Sequence, residues 1–121
     1  MLILDLKHPP SNNTYYRHAR GRHYIGAAGL AYRAHVQEYA ALHGLKAPDG
    51  RLHIGVVVFP PDKRVRDLDN LFKGLLDSLV HAGVILDDSL IDRLWIERLQ
   101  VVKGGKCRVY ISTVKGENDH A

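Results

Sequence analysis

Cysteine is almost missing from this chain. Cys107 stands alone among 121 residues, which excludes an intrachain disulfide and leaves no thiolate cage for zinc. The eight histidines lack any close metal-ligand spacing and read mostly as surface or core polar residues. No apolar run approaches the length of a membrane span. Leu2 to Leu6 is too short for a secretory leader, is interrupted by Asp5, and precedes no small-residue cleavage site. The expectation is an intracellular, cytoplasmic protein without a membrane partner. Repeats, low-complexity tracts and linkers are also missing, so residues 1–121 are expected to form a single domain. One further absence is local: between Lys7 and Gln37 there are five lysines and arginines but no acid.

What is present begins with enough apolar residues, 45%, for a compact core, and a formal charge of +4. Six of the 13 acids fall between Asp67 and Asp92. A basic surface around an acidic pocket suits an enzyme that cleaves a polyanion: phosphates must be drawn in and a cation held. A mildly basic solvated protein is the commoner meaning of such a charge, so charge alone decides nothing.

Leu2, Leu4 and Leu6 alternate with Ile3 and Asp5, which predicts a strand that Pro9-Pro10 ends. Ser11 to Gly26 lacks periodicity and reads as a long functional loop. Ala27 to His43 is alanine-rich and helix-prone, with Gly44 as its stop. Leu52 to Phe59, dense in β-branched residues and closed by Pro60-Pro61, predicts a buried strand. Leu68, Leu71, Phe72, Leu75, Leu76 and Leu79 follow helical spacing up to Gly83. Two more strands are expected over Leu94–Val102 and Cys107–Val114, joined as a hairpin through Lys103-Gly104-Gly105-Lys106. The order is strand, helix, strand, helix, strand, strand: a small mixed α/β domain whose mixed sheet packs against two helices.

The most informative run is Arg66-Asp67-Leu68-Asp69-Asn70-Leu71-Phe72-Lys73, followed about a helix later by Leu86-Asp87-Asp88. Crowded carboxylates repel unless a proton or cation lies between them. An oxygen-only set suits a hard cation such as Mg²⁺, which keeps several waters and takes one or two carboxylates. The apolar stripe leaves Asp69, Lys73 and Asp77 at successive i+4 positions on the polar side. Ordinary helix chemistry also accounts for parts of this. Asp67 or Asp69 can cap the helix, Lys73 can pair along it, and Asp87-Asp88 can cap a turn. Their joint occurrence with Arg66 and Asn70 is harder to explain in that way.

Pro9-Pro10-Ser11-Asn12-Asn13, Tyr15-Tyr16-Arg17-His18, the Arg66–Asn70 block with Lys73, Ala82-Gly83, Leu86-Asp87-Asp88 and Lys103-Gly104-Gly105 together resemble the RusA family of Holliday junction resolvases. These are small dimeric endonucleases found especially in phage and prophage genomes. The resemblance covers nearly the whole chain. It implies Asp67, Asp69 and Asp88 as metal-binding aspartates, Asp87 as a neighbouring acid of less certain role, and Lys73 as the catalytic lysine. It further implies Mg²⁺, with Mn²⁺ as a substitute, a homodimer, a four-way junction DNA substrate, and nicks that leave 5′-phosphate and 3′-hydroxyl ends.

Tyr15, Tyr16, Arg17, Arg20 and Arg22 mix stacking groups with phosphate ligands, as a DNA-contacting loop does. Arg66, Lys103 and Lys106 are further candidates for DNA contact, although solvated charges beside a hairpin account equally well for the two lysines. Lys-Gly-Gly-Lys lacks the glycine spacing and following helix of a P-loop. Trp95, within an apolar strand, is expected in the core. The competing function is a non-catalytic binder of branched or single-stranded nucleic acid, which has no use for clustered acids that repel phosphate.

Overall fold

The computed structural model describes residues 1–113. The alternating leucines form β1 (Leu2–Leu6), with Leu4 and Leu6 facing inward. The stretch expected as a loop is ordered differently. It folds into a one-turn helix α1 (Asn12–Tyr15) and a hairpin of β2 (Tyr16–Ala19) and β3 (Arg22–Ile25). Ser11 starts the turn, its hydroxyl accepting from the Thr14 amide at 3.3 Å. Arg20 and Gly21 take φ of 52° and 73°, closing the hairpin between the paired Ala19 and Arg22. Two consecutive positive φ values match the right-handed twist of the flanking strands. Elements of four residues are too short to leave a readable hydrophobic period.

Helix α2 (Ala27–His43) runs as expected and buries Gly29, Tyr32, Val36 and Ala40 before Gly44 ends it at φ 61°. Strand β4 (Leu52–Phe59) follows. The next helix was expected from Leu68, but its first turn, Leu68–Leu71, winds as a 3₁₀ helix before α3 (Phe72–His81). A second 3₁₀ turn, Asp88–Leu90, leads into β5 (Ile91–Arg98), and the described chain closes with β6 (Lys106–Thr113). Val114, the expected end of that strand, and residues 115–121 of the expected single domain lie outside the described residues.

The four-stranded sheet has the order β1-β6-β4-β5. Strand β6 is antiparallel to both β1 and β4, while β5 runs parallel to β4. The two last strands are therefore not a hairpin, because β4 lies between them. Residues 99–105 leave the sheet and cross the end of β4, where the Leu99 and Val102 amides donate to the Val58 and Pro60 carbonyls. Gly104 and Gly105 do take positive φ, 84° and 69°, but they turn a crossing loop.

One face of the sheet packs Leu4, Ile54, Val56, Val109 and Ile111 against Val36 of α2 and Leu75 and Leu79 of α3, all fully buried. Among the described residues no helix covers the opposite face, which corrects the expectation for Trp95. Its indole is 39% exposed on edge strand β5. It lies across Gly55, where an added Cβ would meet Cζ2 at 2.0 Å, and stacks on Tyr110 with ring centroids 6.2 Å apart. Among the described residues, no helix is long and apolar enough to cross a membrane.

Candidate active site

The N-terminal segment from Asn12 to Tyr16 docks on α3, the helix that follows the acidic run. Three contacts, each from a different residue of the N-terminal segment, join them. The Asn12 side-chain oxygen accepts from the Gly74 amide at 3.2 Å, which satisfies a donor in the open first turn of α3. Tyr15 inserts its ring between the helices with no exposed surface, and its hydroxyl bonds that of Ser78 at 2.9 Å. Tyr16 donates its hydroxyl proton to Asp77.

The Tyr15 hydroxyl also accepts from Arg33 Nε at 2.8 Å, and Ser78 passes its own proton to the Gly74 carbonyl at 2.8 Å. A closed polar chain thus lets a tyrosine and a serine be buried without an orphan donor. Glycine is needed on both sides of the ring. A Cβ at Gly74 would stand 2.6 Å from Tyr15 Cδ2, and one at Gly29 would stand 2.5 Å from the Tyr15 carbonyl oxygen. Burial takes Tyr15 out of the set of rings able to stack on a base; its role is to seat α1 against both helices.

Asp67 holds the position before the 3₁₀ turn in extended conformation, φ −86° and ψ 128°, yet its side chain makes no capping bond. Asp67 and Asp69 are both exposed. The pair Asp87-Asp88 divides its tasks. Asp87 caps its turn, accepting from the Ser89 hydroxyl at 2.9 Å and amide at 3.5 Å, and these bonds hold its carboxyl below the ordinary range. Asp88, also exposed, stands close enough to α3 for its charge to act on Asp77. Burial, and then that neighbouring charge, push the Asp77 carboxyl up.

Lys73 reaches to Asp77 and Tyr16. Its ammonium donates to Asp77 at 3.1 Å and lies 4.3 Å from the centre of the Tyr16 ring. It lines a hollow of about 440 Å³ together with Tyr16 and with His18, His23 and Tyr24 of the hairpin. A larger cleft of about 760 Å³ opens beside Asp67 and Asn70, walled by Lys7, His8, His35, Arg64 and Arg66. Arg66 is committed to its own loop. It pairs with Asp62 at 2.8 Å, holding that carboxyl well below the usual range, and donates to the Asp62 and Arg64 carbonyls. Its own carbonyl accepts from Arg98 at 2.6 Å. Arg66 thereby fixes the backbone that presents Asp67.

The remaining candidates lie on the surface. Arg17, Arg20 and Arg22 are exposed on the hairpin and its turn. Lys103 is exposed on the crossing loop, whose Gly104 lines the larger cleft, while Lys106 rests its ammonium 4.8 Å from the Phe59 ring centre. Asp62, the Asn12–Gly74 bond and the Tyr16–Asp77 contact were not foreseen from the sequence. Asp77 was visible at i+4 from Lys73, but Tyr16 is 61 positions away from it.

Among the described residues, no three His, Cys, Asp or Glu side chains converge closely enough to hold a metal ion. Asp67, Asp69 and Asp88 thus do not form a closed carboxylate cage. Hard oxygen donors left exposed and uncapped fit the open kind of site that Mg²⁺ uses, where one or two carboxylates act together with waters and substrate phosphates.

The model of a family described as "Endodeoxyribonuclease RusA" matches residues 7–113. The crossover junction endodeoxyribonuclease rusA of Enterobacteria phage HK97 is 42% identical over 113 residues, covering 91% of this chain and 92% of the relative. Crossover junction endodeoxyribonuclease RusA of Escherichia coli (strain K12) is 41% identical over 118 residues, covering 94% and 96%. Its counterpart in Shigella sonnei (strain Ss046) is 42% identical over the same length, 118 residues.

Proposed function

Because the chain belongs to the RusA family of endodeoxyribonucleases, divalent-metal-dependent enzymes that resolve Holliday junctions, we propose that it cuts four-way junction DNA with Mg²⁺ held by Asp67, Asp69 and Asp88. The observation that carries this reading is the uncommitted Asp67. It occupies a capping position without capping, at the mouth of a cleft whose other charged walls are basic. A carboxylate kept there for stability alone would be bonded to the free amides beside it.

A divalent cation held by these acids would neutralise the scissile phosphate and acidify the attacking water. The chain's own groups do the rest. Lys73 directs N–H donors at a non-bridging phosphate oxygen or the departing 3′ oxygen, where charge develops. Arg17, Arg20 and Arg22 on the hairpin, with Lys103 and Lys106, hold flanking phosphates and set register rather than sequence. The Tyr16 ring lies under the Lys73 ammonium and supports it there. Arg66 and Asp87 act on the backbone that carries Asp67 and Asp88. The products are a 5′-phosphate and a 3′-hydroxyl.

Resolution needs two cuts in opposing strands, and a two-fold homodimer supplies two identical sites. The phage and bacterial relatives are consistent with a protein that works in the cytoplasm as a single-domain nuclease. The test is incubation of the protein with a mobile synthetic junction, with and without Mg²⁺, and mapping of the cuts. Symmetric paired nicks only with metal are expected. Binding without cleavage, by folded protein and across divalent ions, would make it a non-catalytic junction binder.

A further inference from the structure

Lys73 is exposed over 64% of its side chain, and a lysine free in water samples many rotamers. A charge that must meet one phosphate oxygen gains from being held before substrate arrives. Two elements far apart in sequence provide that hold. Asp77, one helical turn on, takes the ammonium at 3.1 Å, and the Tyr16 ring lies 4.3 Å beneath it. Tyr16 also donates its hydroxyl to the same carboxylate oxygen that Lys73 bonds. An ammonium has three donors, so one bond to Asp77 leaves two for DNA.

Helix chemistry alone accounts poorly for this arrangement. Acid before lysine is the favourable i,i+4 order, and here the lysine comes first. Asp77 lies past the middle of α3, outside the N-terminal turn where the helix dipole favours an anion. It is partly buried, and the charge of Asp88 acts on it. Exposed ion pairs add little stability, so stability gives little reason to keep a carboxylate in that position.

Tyr16 is itself rigidly mounted. Its ring packs 4.6 Å from that of Tyr15, which is wedged between α2 and α3, and Asn12 ties the same segment to the Gly74 amide. We infer that Asp77 and Tyr16 are positioning residues that hold the Lys73 ammonium toward the reacting phosphate. This inference rests on the proposed role of Lys73.

The experiment measures single-turnover junction cleavage, junction affinity and thermal melting for Asp77→Ala, Asp77→Asn, Tyr16→Phe and Lys73→Ala. Each of the first three is also combined with Lys73→Ala. Misplacement of a reacting group by about an ångström costs roughly a hundredfold, so Asp77→Ala is expected to slow cleavage by about ten- to a hundredfold. Tyr16→Phe, which keeps the ring, should lose less, and Asp77→Asn, which keeps an acceptor oxygen, should recover part of the rate. Affinity should barely change. In the Lys73→Ala background none of these changes should slow cleavage further, because the group they hold is gone.

Losses that multiply with that of Lys73→Ala would overturn the inference while leaving the nuclease reading intact. So would losses explained by melting alone. If Asp77→Ala does not fold, Tyr16→Phe and Asp77→Asn carry the same cycle. Normal cleavage by Lys73→Ala would overturn the role of Lys73 and the inference together.

Discussion

Replacing Asp67, Asp69 or Asp88 with asparagine separates a metal-holding acid from a structural one. Each change keeps the size of the side chain and removes one negative charge. Asp67 makes no capping bond, and all three side chains are exposed. Surface changes away from caps and cores stay within about 0.5 kcal/mol, which corresponds to a melting shift of about 2 to 3 °C in a domain of this size. The effect on DNA is opposite in sign for binding and for rate. At about 6 Å in a medium between water and protein surface, one carboxylate repels one phosphate charge by about 0.7 to 3 kcal/mol. Each asparagine variant should therefore bind junction about three- to a hundredfold more tightly without metal, while metal-supported cleavage collapses. Asp87 is the internal control. It caps the Asp88–Leu90 turn, so Asp87→Ala should lower the melting temperature and affect cleavage only through Asp88. Gel-shift affinity, single-turnover cleavage and melting on the same preparations decide the matter. Retained cleavage in all three asparagine variants would refute the reasoning, as would melting losses that track the loss of rate.

Ca²⁺ should support junction binding with little cleavage, and Mg²⁺ or Mn²⁺ should restore the nicks, because Ca²⁺ takes looser and larger coordination from the same oxygens; full activity in excess EDTA is the contrary result. Triple replacement of Arg17, Arg20 and Arg22 by alanine should weaken binding and flatten its salt dependence by up to about 0.9 for each arginine that reaches a phosphate, as read from affinity titrations across salt. His35 should make folding sensitive to acid. Its Nε2 accepts from the Lys7 amide at 3.0 Å, and burial, followed by the Lys7 charge, lowers its pKa. A histidine depressed in the folded state contributes stability that is full above its unfolded value, about 6.5, and is lost as pH falls below it. Denaturant midpoints from pH 7.5 down to 5 should fall less in His35→Gln than in the parent chain.

The parts of the fold that were legible in the sequence are those with a clear hydrophobic pattern or a strong local propensity. Helix α3 and strands β1 and β4 were readable from spacing, β-branching and the glycine at 83, and α2 from its alanine content and the glycine at 44. The N-terminal segment was not, since its order comes from single contacts made across the chain: Asn12 to Gly74, Tyr15 to Ser78, Tyr16 to Asp77. Strand pairing was also misread. A diglycine signals positive φ, but not which strand stands between the two it joins, and β4 entered that place. Trp95 looked like core because its neighbours are apolar, yet an edge strand has one covered face and one open one. At the site, the Asp67–Lys73 run was visible as a composition. The division between Asp87 as a cap and Asp88 as an exposed acid was not, because it depends on where Ser89 turns its hydroxyl.

The open face of the sheet has a spectroscopic consequence. Trp95 is the sole tryptophan, and it lies on the side of the sheet away from α2, α3 and the acids of the candidate site, against Gly55 and Tyr110. Its emission therefore reports on one surface only. On the proposed binding mode, DNA entering the cleft beside Asp67 is expected to leave that indole in the same surroundings, whereas a protein surface that covers this face of the sheet is expected to dry it and shift its emission to the blue. The chain carries a built-in optical label that distinguishes events on its two sides, and a titration of protein concentration without DNA reads the open side by itself.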